Sequence, residues 1–145
     1  MIVVDANLLI YAYNAKALQH VAAKRWLESA FGKETSVGLP LQSVTAFLRI
    51  ITDKKLHRSA LSALEATAIV DLWLAQSNVR LLNNGDNHWL ILRDLLTRYN
   101  ITGKLISDAQ IVAITLEHGG RLVSADNDFR RFDEVRFQNP LAVRR

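Results

Sequence analysis

Short apolar runs in this chain keep ending at a carboxylate, and that repetition constrains the fold more than any other feature. The run MIVV stops at Asp5. The run RLVSA stops at Asp126, with Asp128 two residues on. Asp108 opens the helical run DAQIVAI. In a parallel α/β sheet all strand C-terminal ends share one edge, and ligands bind in the crevice there. Acids more than a hundred residues apart then meet at one place. Crowded carboxylates repel unless a cation neutralises them, and hard oxygen donors suit Mg²⁺ or Mn²⁺. Metal-assisted phosphodiester chemistry is the reaction such a cluster most readily supports.

The rest of the pattern agrees with such a sheet. Strands are predicted at 2–4, 35–38, 79–82, 122–124 and 135–137. Helices are predicted at 7–14, 17–31 and 43–51, in a region that encloses Ser62 and Glu65 and runs to about 75, and at 88–99 and 108–118. In the second helix Ala23, Trp26, Leu27, Ala30 and Phe31 follow the 3.6-residue period, and Gly32 stands where a C′ residue is needed. Val44, Phe47, Leu48 and Ile51 give the third helix its stripe, with Ser43 as the expected N-cap. Ser62 and Glu65 match a capping box, and Leu61, Leu64, Ala68, Leu72 and Ala75 are the expected inner face of that helix. Ser107 is the expected cap of the helix that Asp108 opens. Alternation from end to end predicts an α/β fold, a mostly parallel central sheet of 4–5 strands with helices on both faces. With 145 residues and neither linker nor repeat, residues 1–145 read as a single domain.

Composition excludes several functions. The chain has no cysteine, which removes disulfides, thiolate catalysis and Cys-based zinc sites and fits a reducing cytoplasm. His20, His57, His88 and His118 show no metal-binding spacing. No Gly-rich phosphate loop or GxSxG elbow is present. No run approaches the ~20 apolar residues of a membrane helix. The first run breaks at Asp5 with no basic residue before it, which reads against a signal peptide. The net charge of +4 suits a polyanion approaching an acidic pocket. The pairs Lys54-Lys55, His57-Arg58, Arg130-Arg131 and Arg144-Arg145 read as solvated surface. Arg49, alone in an apolar helix, reads either as a partner for an acid or as a rim residue.

Each candidate residue has a plainer alternative. Asp5 at a buried strand end needs a metal, a hydrogen bond or solvent, and a helix N-cap satisfies it equally. Asp108 in a first helical turn is favoured by the macrodipole alone. Asp126 and Asp128 fit a turn around Asn127. Asn7 either bonds the Asp5 carboxylate or a metal-bound water, or caps a helix.

Taken together, the segments VVDANLLIYAYN, LPLQSVTAFLRI, GKLISDAQIVAITLEHGGRLVSADNDF and RFQNPL resemble the PIN-domain ribonuclease toxins of the VapC type. The resemblance covers nearly the whole chain. It implies a PIN-like fold, RNA cleavage with Mg²⁺ or Mn²⁺, a cognate antitoxin as partner, and a homodimer. Trp73 and Ile91 are the apolar residues expected to exceed what one core can hide. The motif acids carry over as catalytic residues onto Asp5, Asp108 and Asp126, with Asp5 and Asp108 as metal ligands and Asp128 and Asn7 as accessory residues. One departure stands out. The family often has a Glu in the helix after the second strand, and here Ala46 holds that place. Asp53 lies about two turns further on.

Three functions fit these residues. The first is a metal-dependent endoribonuclease toxin. The second is a catalytically degraded PIN-like module that binds nucleic acid or protein, and the missing Glu argues for it. The third is a phosphatase or phosphotransferase with Asp5 as nucleophile, which lacks its expected second acid.

Overall fold

The computed structural model describes residues 1–56 and 59–142. The basic pairs His57-Arg58 and Arg144-Arg145 lie outside them. Five strands, β1 (Ile2–Val4), β2 (Val37–Pro40), β3 (Val79–Leu82), β4 (Arg121–Val123) and β5 (Arg136–Gln138), form one sheet in the order β3-β2-β1-β4-β5. Every pairing is parallel. Six helices connect them: α1 (Ala6–Ala12), α2 (His20–Ala30), α3 (Leu41–Ile51), α4 (Ala63–Leu74), α5 (His88–Arg98) and α6 (Leu105–Glu117). A short 3₁₀ helix spans Asn127–Arg131.

Strand alternation divides the core between two faces. Ile2 and Val4 pack with Leu8, Leu27, Val37, Phe47 and Trp73 on one side, the side of α1 to α4. Val3 points the other way, onto Leu82 and Ile114 of α6. Leu122 joins a second cluster with Leu95, Val112, Phe129 and Phe132. α6 is buried over Ala109 and over Ile111 to Thr115, which explains why its sequence is apolar on nearly all sides.

Several expected boundaries move. β2 lies two residues later than predicted, because Val37 to Pro40 are the residues that pair with β3. Ser43 is not an N-cap: α3 begins at Leu41, and the buried Ser43 hydroxyl donates to Val4 O at 2.7 Å. Ser107 is not a cap either, since α6 starts at Leu105 with Asp108 in its first turn. Ser62 does form the capping box with Glu65, and it starts α4 rather than lying inside it. The inner face of α4 is Ala66, Val70 and Trp73, whereas Leu64 and Leu72 are 82% and 67% exposed. Trp73 packs against Tyr13, Phe31 and Phe47, so it is core, not surplus surface. Gly32 takes the left-handed φ of 81° just past α2, as a C′ residue does.

Candidate active site

Sheet order places the site. β1 has β2 on one side and β4 on the other; the chain runs from β1 to β2 in one direction and from β4 to β5 in the opposite one. The crevice between β1 and β4 at their C-terminal ends is the topological switch point. Val4 pairs with Val123, and the Asp5 amide continues the ladder to Val123 O at 3.0 Å. Asp5 and Ser124 therefore emerge side by side.

Both oxygens of Asp5 are engaged. Oδ1 accepts from the Ala6 amide at 2.8 Å, which is the N-cap of α1. Oδ2 accepts from the Ser124 hydroxyl at 2.8 Å. Asp5 thus caps a helix and carries charge into the site at once. Burial is the main influence on its carboxyl. The Ser124 and Ala6 hydrogen bonds oppose burial, while Asp108 and Asp126 add to it. The result is a pKa raised from 3.8 to about 6.

Ser124 is the residue that sequence reasoning missed, although it sits inside the SADND motif. It is fully buried. Its Oγ accepts from Asn7 Nδ2 at 3.1 Å and from the Asp126 amide at 3.0 Å. Asn7 also accepts from the Ala125 amide at 3.2 Å. Asn7 is therefore neither a cap nor a direct partner of the Asp5 carboxylate; it ties α1 to the end of β4. Asp126 caps the 3₁₀ helix by accepting from the Asp128 amide at 2.9 Å.

Asp108 arrives from the first turn of α6. Its carboxyl is raised by burial first, then by Asp126; Arg131 opposes this and Asp128 adds to it. Asp5 and Asp108 line one cleft of about 410 Å³, with Gln42, Ala46, Arg49 and Ser107 among its other walls. Asp126 acts on both acids electrostatically and stands beside the cleft. Arg49 is a rim residue. Ala46 lines the cleft. Asp53 lies past the end of α3 and accepts from the Lys55 amide instead.

These oxygens suit a hard divalent ion. Asp5, held protonated to unusually high pH by burial and by its acidic neighbours, is a carboxylate that a cation would relieve. Among the described residues no three acid or histidine side chains stand close enough to grip an ion together. The fit is to an ion that keeps several waters, as Mg²⁺ does.

The PIN domain family model matches residues 2–135. The chain belongs to the PIN-domain family. Its curated relatives place this PIN domain in the VapC branch. Ribonuclease VapC33 of Mycobacterium tuberculosis is 35% identical over 141 residues, 97% of this chain and 99% of that protein. Ribonuclease VapC37 of the same organism is 36% identical over 143 residues, 99% of each. Among solved structures, M. tuberculosis VapC20, described as a Sarcin-Ricin loop cleaving toxin, aligns with a TM-score of 0.66 at 24% identity. It covers 94% of this chain and 99% of that one. The FitAB complex bound to a DNA fragment aligns at 0.73 and 14% identity, covering 100% and 99%, and supports the fold alone.

Proposed function

We propose that this PIN domain is a metal-dependent endoribonuclease, the toxin of a toxin–antitoxin pair, acting in the cytoplasm. The observation that carries the mechanism is the shared cleft of Asp5 and Asp108, with Asp126 raising both carboxyls. The ribonuclease class is supported by VapC relatives that align over nearly their whole length. The antitoxin partner is supported by a neighbour from Klebsiella pneumoniae described as a toxin–antitoxin complex. Among the described residues no helix is long and apolar enough to cross a membrane.

Asp5 and Asp108 would hold Mg²⁺ or Mn²⁺. Such an ion, when bound, lowers the pKa of water and offsets charge building on the scissile phosphate. Asp126, which acts electrostatically on both acids, would orient water. Ser124 holds the Asp5 carboxylate in one rotamer, and Asn7 holds Ser124. Arg49 on the rim draws the RNA backbone toward the acids. Asp128 contributes charge near Asp108 without facing the cleft.

A second reading, a binding module without turnover, is favoured by Ala46. That residue leaves the cleft one carboxylate short of a typical relative. Cleavage of single-stranded RNA with Mg²⁺ or Mn²⁺ against a chelator control separates the two. Cleavage lost in Asp5→Asn and Asp108→Asn supports the enzyme. Binding with no metal-dependent product supports the module.

A further inference from the structure

The acidic cleft does not end at the acids. A second cleft of about 430 Å³ is lined by Leu41, Gln42, Thr45, Asn83, Asn84 and Gln110. Gln42, Thr45 and Gln110 belong to both, so the two are continuous. The second stretch has no charged side chain. Phosphates are positioned by Arg, Lys and backbone N–H groups, whereas base edges are read by amides that donate and accept together. Arg49, the one cation among the described residues that line the two stretches, lies on the acidic one. The charge pattern thus separates a part suited to phosphate from a part suited to bases.

Gln42 adds an independent observation. Its Nε2 donates to Asn84 Oδ1 at 2.8 Å, which ties the start of α3 to the loop after β3. Its Oε1 is buried and has no partner. An orphaned acceptor is costly, and a ligand N–H relieves it. The terminal torsion of a glutamine is soft, so the amide turns toward a ligand at little cost. Leu41 beside it is 44% exposed and gives this stretch an apolar patch.

We propose that this second stretch is a base-reading subsite, in which Gln42, Asn84 and Gln110 recognise one unpaired base of single-stranded RNA next to the phosphate at Asp5 and Asp108. The proposal rests on the ribonuclease reading above. It makes these amides specificity determinants, and it predicts that the base they meet has an N–H directed at Gln42 Oε1.

The test uses the full chain and single-stranded RNA oligonucleotides randomised one position at a time. Equilibrium binding is measured with metal chelated, and cleavage with Mn²⁺ added. The wild type is expected to prefer certain bases at one position. Gln42→Met keeps the side-chain length but removes the Oε1 acceptor offered to the base, and Asn84→Ala truncates an exposed loop residue. Each is expected to reduce the preference ratio at that position by roughly tenfold, with other positions unchanged. Base profiles identical to wild type in both variants overturn the subsite, even where cleavage persists. A wild type that never cleaves, yet binds with a base preference that the variants lose, overturns the enzyme reading and supports the subsite. Binding without base preference, or no RNA binding, overturns the subsite.

Discussion

The Ser124 hydroxyl donates to Asp5 Oδ2 at 2.8 Å across 119 positions of chain. It lowers the Asp5 pKa against the stronger effect of burial. Ser124→Ala removes that donor and strips Asn7 and the Asp126 amide of their acceptor. Loss of about 1–3 kcal/mol of stability is expected from the unpaired buried groups. The Asp5 carboxyl should also titrate higher, followed by the side-chain carbon resonance in NMR. An unchanged Asp5 titration would show that Ser124 does not govern it.

Asp5 makes stability pH-dependent. Its folded pKa, about 6, lies above the ordinary 3.8, so the folded state binds the extra proton between those values. The stability this contributes is full below about 3.8 and is lost as pH rises through about 6. The loss by neutral pH is roughly 3 kcal/mol. Asp5→Asn should therefore melt higher than wild type at pH 7, with the advantage shrinking toward pH 4, while RNA cleavage disappears. Equal melting temperatures across that window count against a buried, crowded Asp5.

Ala46 faces the cleft that Asp5 and Asp108 line. Ala46→Glu restores a carboxylate there and should tighten Mn²⁺ binding by at least severalfold in calorimetry, since each added oxygen ligand replaces a water. If RNA phosphate oxygens supply the missing ligands in the wild type, a non-cleavable RNA should tighten metal binding too. Strong RNA-independent binding that Ala46→Glu leaves unaltered is the contrary result.

Ser62 and Glu65 close a reciprocal pair of hydrogen bonds at the start of α4, each 3.1 Å. Ser62→Ala should cost about 1 kcal/mol in chemical denaturation. α4 contributes nothing to the acidic cleft, so RNA cleavage below the melting temperature should be unaffected. A loss of activity in folded protein would tie α4 to the site.

Association of two copies is expected from the family likeness. Trp73 no longer supports it, being core, and Ile91 packs on the α5–α6 cluster. Trp89 and Leu90, 60% and 55% exposed and adjacent on α5, form one of several exposed apolar patches. Light scattering at tens of micromolar should report a dimer, and Trp89→Ser should shift it toward monomer. A monomeric wild type removes the expectation.

Local chemistry was enough for part of this protein. The apolar runs of β1 and β3, the Ser62–Glu65 box, Gly32 past α2 and the alternation of strand with helix are each set by residues near in sequence. The acids at strand ends were legible for the same reason: a charge that ends a buried run needs a destination, and parallel topology gives all of them one edge. Tertiary structure decided the rest. Ser43 looked like a cap until the end of β1 supplied Val4 O as its acceptor. Leu64 and Leu72 keep helical spacing, yet α4 turns Ala66, Val70 and Trp73 inward because the aromatic group of Tyr13, Phe31 and Phe47 lies there. β2 begins at Val37 because register with β3 is a pairwise property. Ser124 opens the SADNDF segment, yet nothing local marks its hydroxyl as a partner of Asp5. A hydroxyl becomes a site residue only when Asp5, Asn7 and Asp126 come within hydrogen-bond reach, and that is settled by packing β4 against β1.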